Sequence, residues 1–202
     1  MAAAVAAMSI PIHAAGPSTA PGQNKIQCFD GASDADIYQG TCTLNSSGAK
    51  GSATLALTSG DPAGDYAGVY TLDSALYNSL AADLTQLSYH YQGTIAAQPG
   101  NLSYNIPIDT NGDTLTEFFL FVDAYYCPGK AGVVDIVNDA NCVMWEGGAV
   151  PRANWAAFLA ANPGARIAND NYAFIVSERT GAEPSAIWMV NDVKFGKAGK
   201  KK

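Results

Sequence analysis

Charge is what this chain has least of. Lys, Arg, Asp and Glu make up 14% of its 202 residues, against about 25% in an ordinary globular domain. Histidine is nearly missing, with only His13 and His90 present. That leaves little for an imidazole-based metal centre and a single candidate base, His90, outside the N-terminal segment. Basic residues are also scarce, 11 against 18 acidic ones. This argues against a nucleic-acid partner, because phosphate neutralisation needs a basic surface. Five of the 11 are Lys194, Lys197, Lys200, Lys201 and Lys202, so residues 1–193 carry −12 out of a total of −7. The exclusion is firm for the body and weaker for the last nine residues. No run of 18 apolar residues occurs, so no membrane span is expected. Disorder is excluded from the other side, by a hydrophobic content of 48%.

Residues 1–15 contain no Asp, Glu, Lys or Arg and are small and apolar. They read as the apolar core and cleavage region of a secretory signal, without the usual basic leader. Residues 16–24 read as a flexible segment, 25–196 as one domain, and 197–202 as a basic tail. The four cysteines fit export. Cys28 and Cys42 lie 14 residues apart, and Cys127 and Cys142 lie 15 apart. Three connectivities are open, and the two local pairs close the shortest loops, each worth about 3 kcal/mol in the chain-entropy model. Spacing of this kind, without histidine partners, does not suit zinc. Asn45-Ser-Ser and Asn101-Leu-Ser match the N-glycosylation pattern.

What the chain does have is short alternating segments between turn residues. Strands are expected at 52–58, 66–72, 84–92, 102–108, 118–126, 173–177 and 187–195. In 84–92, Leu87, Tyr89 and Tyr91 share one face while Ser88 and His90 share the other. Asn111-Gly112 is a hairpin cue between two strands, since both residues tolerate positive φ. Pro107 is expected at a sheet edge or a bulge. Asn154 can cap a short helix with Trp155, Phe158 and Leu159 on one face, ended by Asn162-Pro163-Gly164. Leu72, Leu76, Leu80 and Leu84 are spaced for a second helix, with Asp73 or Ser74 as cap. The expected fold is therefore all-β, an antiparallel β-sandwich of jelly-roll type with one or two short helices.

Several segments bear on function. Asp109, Asn111 and Asp113 place oxygen ligands at alternate positions, as the opening of a calcium loop does, with Glu117 at its ninth position. Thr114 stands where such a loop needs Gly, and Leu120 where it needs Glu, so a complete EF-hand is excluded. What remains is an Asp/Asn-rich turn, with or without calcium. Tyr125, Tyr126 and Trp145 flank the Cys127 and Cys142 segment, with Asp135, Asn138, Asp139, Asn141 and Glu146 in or beside it. Sugars pack their C–H faces on aromatic rings and bond their hydroxyls to carboxylates and amides. A tethered loop carrying Tyr125, Tyr126, Trp145, Asp139, Asn141 and Glu146 is thus a candidate glycan rim, the alternative being that Tyr or Trp turns into the core. Trp155 and Trp188 are expected in the core. Asp123, Asp135, Asp139, Glu146, Glu178 and Glu183 could supply paired carboxylates for glycoside hydrolysis. No GxSxG elbow or phosphate-cradling loop is present.

The segments LAADLTQLSYHY (80–91), NLSYNIPIDTNGD (101–113), FLFVDAYYC (119–127), NWAAFLAANPGARIA (154–168) and IWMVNDVKFG (187–196) occur in an order that resembles a secreted microbial β-sandwich domain. The closing strand is similar to the end of galactose-binding-like and carbohydrate-binding-module-like jelly rolls. The likeness covers roughly residues 66–196. It implies an extracellular, non-catalytic module that binds polysaccharide or cell-surface glycan and holds a structural calcium. Two further readings stay open: a structural or adhesive surface protein, and a carbohydrate-active hydrolase or lyase.

Overall fold

Alternation with period two builds both layers of the molecule. The computed structural model describes residues 26–30, 40–45, 52–57, 65–71, 75–179 and 185–196. The expected signal, N-terminal segment and tail, and Glu183, lie outside these residues. Sheet A contains β1 (Ile26–Asp30), β4 (Asp65–Thr71), β6 (Leu102–Asp109), β7 (Phe118–Asp123), β9 (Met144–Glu146), β10 (Val150–Arg152), β11 (Arg166–Ile167) and β12 (Phe174–Arg179). Sheet B contains β2 (Thr41–Leu44), β3 (Ala53–Leu57), β5 (Gln86–Gly93), β8 (Val133–Asp135) and β13 (Ala186–Gly196). Their orders are β1-β4-β12-β6-β7-β9-β10, with β11 also on β6, and β2-β3-β13-β5-β8. Every pairing is antiparallel.

The order is that of a jelly roll. β12 inserts between β4 and β6 in one sheet, and β13 between β3 and β5 in the other. The chain alternates between layers through β3, β4, β5 and β6, so the two insertions interlock as paired Greek keys. β1 and β2 extend one side of the sandwich, and β9 with β10 extends the other.

One residue in two from each strand enters the space between the sheets. Leu55, Leu87, Tyr89, Trp188 and Val190 come from sheet B, and Val69, Tyr104, Ile106, Leu120, Val122 and Ile175 from sheet A, all fully buried. The helix α1 (Trp155–Ala161) adds Trp155 and Phe158 to this core, and Asn154 caps it by accepting from the Ala157 N–H at 2.9 Å. Both local disulfides form. Cys28 lies on β1 and Cys42 on β2, so this pair joins the two sheets at one side. Cys127 and Cys142 are both buried and fasten the segment after β7 to the segment before β9.

Two local expectations are corrected. Of the expected second helix, Leu72, Asp73 and Ser74 lie outside the described residues, and Leu76, Leu80 and Leu84 do not form a helix. Asn78 has φ of +61°, and only a 3-10 turn occurs, at Ala81–Asp83. The N–H groups of Asn78 and Ala81 donate to the carbonyls of Ile167 and Ala165, so tertiary partners replace the bonds a helix would make. Pro107 lies inside a central strand, neither at an edge nor in a bulge. β6 pairs with β12 through Asn105 and with β11 from Ile108, and the proline falls at that change of partner, where its missing N–H interrupts no ladder. β6 and β7 pair as the expected hairpin; in its loop Gly112 and Thr114 take positive φ, Asn111 does not, and Asp109 accepts from three loop N–H groups.

Candidate functional site

Strand register decides which side chains share a face. Cys28, Val69, Ile175, Tyr104 and Val122 are aligned across sheet A and face the core. The rows on either side therefore point outward. One holds Phe29, Gly68, Val176 and Ser103. The other holds Gln27, Tyr70, Phe174, Asn105, Phe121 and Trp145. The outer face of sheet A is thus unusually aromatic for a surface that faces away from the core.

The rings on it form two contacting groups, joined by one cross-strand pair. Phe29 meets Tyr66 and Tyr70, with centroids 6.3 Å away in each case, and meets Phe174 edge-on at 5.6 Å. Phe174 meets Phe119 at 5.7 Å, and Phe119 meets Phe121 at 6.4 Å. Phe121 is paired across the ladder with Trp145. Tyr126 stacks edge-on to Trp145 at 4.8 Å and to Tyr125 at 4.8 Å. Phe29, Phe119, Phe121, Tyr126, Trp145 and Phe174 are all half-buried, and Tyr125 is 50% exposed. From β9 to β1 the run crosses five strand spacings, about 24 Å. Gly68 makes it possible at its far end, since a Cβ there would collide with the Phe29 ring and the Ile175 carbonyl.

The stapled segment supplies the other end. The 3-10 turn Ala124–Tyr126 presents Tyr125 and Tyr126, and Asp123 caps it. One Asp123 oxygen accepts from the Tyr125 N–H at 2.8 Å and the other from the Gly100 N–H. Asp123 is only 8% exposed, and burial pushes its pKa up to about 6 against the pull of those two N–H donors. Burial raises Glu178 of β12 as well. Asp139 accepts from the N–H groups of Gly129 and Asn141, which shapes the loop. Glu146 makes a two-pronged ion pair with Arg152 at 2.7 and 2.9 Å and accepts from Asn162. Arg152 holds the Glu146 carboxyl below its ordinary value. Of the six expected rim residues, Tyr125, Tyr126 and Trp145 come together as a ring cluster. Asp139 and Glu146 act as internal braces beside them, and Asn141 is exposed in the same loop. Asp135 accepts from Asn138.

The Asp-rich hairpin lies elsewhere, at the other end of β6. Asp109 is fully buried, and its two oxygens accept from the N–H groups of Asn111, Gly112 and Thr114. Asp113 accepts from Leu115 and Asn111, and Glu117 from Thr110. Ligand atoms of Asp109, Asp113 and Glu117 lie within 4.8 Å of one another, so these three offer a shared oxygen cluster. Asn111 spends its oxygen on the Asp113 N–H. Of the two glycosylation patterns, Asn101 is 3% exposed and accepts from Gln98, which leaves no room for a glycan. Asn45 is hydrogen-bonded to Ser52 and Thr54.

No protein-family model, curated protein or solved structure matches the chain. The site is therefore defined by its own geometry. Sequence reasoning located one end of the aromatic run and missed Phe29, Phe119, Phe121 and Phe174. The signal was present in FFLFVD (118–123). Leu120 and Val122 already fill the inward positions, so Phe119 and Phe121 must point out.

Proposed function

We propose that this chain is a non-catalytic extracellular binding module whose ligand is a carbohydrate laid across the outer face of sheet A. The observation that carries this reading is the aromatic run from Tyr125 to Phe29. Rings aligned across a sheet and bordering solvent are a surface that a sugar chain can pack on with its C–H faces. The two disulfides suit an oxidising compartment, and no helix among the described residues is long and apolar enough to cross a membrane. The acidic residues noted for hydrolysis are engaged otherwise: Asp123, Asp135, Asp139 and Glu146 each hold a backbone or side-chain donor. The hairpin oxygens of Asp109, Asp113 and Glu117 would suit calcium as a stabiliser at the other end of β6 from Tyr125.

Affinity electrophoresis in gels containing xyloglucan, galactomannan, mixed-linkage β-glucan, arabinogalactan or xylan tests the reading. Retardation by at least one polymer is expected, and free migration in all of them rejects it. Thermal melts in calcium and in chelator test the metal, since an ion bound to the folded state raises the midpoint by mass action.

The adhesive reading retains one supporting observation. Ile187 and Met189 stand exposed on the outer face of sheet B, at 48% and 42%. Light scattering over a concentration series separates the two readings: association that persists after Ile187→Thr and Met189→Thr is not mediated there.

A further inference from the structure

Asn105 sits at the centre of the outer face of sheet A, in the row between Phe174 and Phe121. It is 2% exposed. Its Nδ2 donates to Ser103 Oγ at 3.0 Å, while its Oδ1 has no hydrogen-bond partner. The rings of Phe119 and Phe174 meet over this strand. They stand on β7 and β12, which flank β6 and so lie about 10 Å apart. Centroids 5.7 Å apart therefore mean that both rings lean inward over β6. An acceptor kept under apolar rings without a donor carries its full desolvation penalty in the free protein. Nothing in the core requires it, because the residue faces away from the core.

Building on the reading above, we propose that Asn105 is the central hydrogen-bonding subsite of this face, its Oδ1 accepting from a hydroxyl of a neutral saccharide chain once the Phe119 and Phe174 rings part. The chemistry selects the class. An acceptor requires a ligand donor, so a purely apolar occupant such as an acyl chain leaves the oxygen unpaired. No Lys, Arg or His stands in the two rows around Asn105, so an anionic sugar finds no counter-charge there. Flanking rings require a flat C–H surface next to the donor hydroxyl, which a pyranose supplies. Both rings are half-buried and border solvent, so they have room to swing outward.

The test compares wild type, Asn105→Leu and Trp145→Ala by calorimetric titration with whichever neutral polysaccharide retards the wild type most, and by thermal melts without ligand. Asn105→Leu keeps the branched shape and number of side-chain heavy atoms and removes the unpaired oxygen. It is expected to melt at or above the wild-type temperature and to bind at least tenfold more weakly. A purely structural amide would do the reverse, lowering the midpoint and leaving affinity unchanged, and that result overturns the proposal. Should Asn105→Leu not fold, the Asn105 side-chain amide resonances of labelled wild type decide: they must shift on titration, and unmoved resonances overturn it. If Trp145→Ala loses binding and Asn105→Leu does not, the subsite is wrong and the carbohydrate reading stands. If the wild type binds no neutral polysaccharide, that reading fails and the subsite with it.

Discussion

The outer faces of the two sheets are built by the same rule and filled differently. On sheet B, the outward rows hold Thr41, Ala56 and Ile187, then Thr43, Thr54, Met189 and Gln92. These are strand formers that water tolerates, with single apolar residues spaced among hydroxyls and amides. On sheet A, the equivalent positions hold Phe29, Tyr70, Phe174, Phe121 and Trp145, neighbours across the ladder. The outward rings of sheet A also add to the packing, since Tyr70 joins the buried cluster and Phe29 and Phe174 pack against it. The difference between the two faces is what the proposed carbohydrate-binding reading rests on.

The largest expected effect concerns the carboxylate that positions Tyr125. Asp123 titrates near 6 in the folded protein and near 3.9 when unfolded. Its folded-state pKa is raised, so its contribution to stability is fully present below about pH 4 and is lost as pH rises through 6. The loss amounts to about 3 kcal/mol. Denaturant titrations between pH 4 and 8 should reveal this slope in wild type and a flatter one in Asp123→Asn. Equal slopes would show that the carboxylate ionises as freely in the fold as outside it. Burial raises Glu178 too, so Glu178→Gln should remove a part of the slope with the same sign.

Crowding the two faces should separate them next. Gly68→Val drives a side chain into the Phe29 ring and the Ile175 carbonyl, and should cost about 2 kcal/mol in chemical denaturation. Thr54→Val, at an outward position of sheet B, should stay within about 0.5 kcal/mol of wild type. Similar costs at both sites would mean that Phe29 is not held over the glycine. Third comes ligand contact. Trp145→Ala should weaken polysaccharide binding about tenfold, equivalent to about 1.4 kcal/mol, with little change in melting. The smallest effect belongs to Ile187→Thr with Met189→Thr, which should leave glycan retardation unaltered. A loss of retardation there would move the binding face to the other sheet.

How much of this was readable beforehand depended on whether a local pattern was also the deciding interaction. In β5, Leu87 and Tyr89 alternate with Ser88 and His90, and the faces come out as expected because burial follows the period. Helix α1 has its own cap at Asn154 and was found for that reason. The leucines from 76 to 84 carry helical spacing, yet the N–H groups of Asn78 and Ala81 between them find the carbonyls of Ile167 and Ala165, far along the chain where no local window reaches. The strands β8, β9, β10 and β11 have three residues or fewer, too short to display any period. At the site, Tyr125, Tyr126 and Trp145 stood out beside paired cysteines. Phe29, Phe174 and Asn105 could not, because the register that gathers them joins residues up to 145 positions apart.

The insertion of β12 and β13 also sets an order in time. Until residues 174–196 have been synthesised, β4 and β6 have no strand between them, and neither do β3 and β5. Both layers therefore stay open along their centres, with four strand edges unpaired, through most of translation. A chain that stops short of Phe174 loses the middle of both sheets at once, where most truncations would trim a margin. Such a fold closes late, by long-range pairing, and is expected to be slow. Its last two strands serve as the keystones of an arch whose stones are already standing.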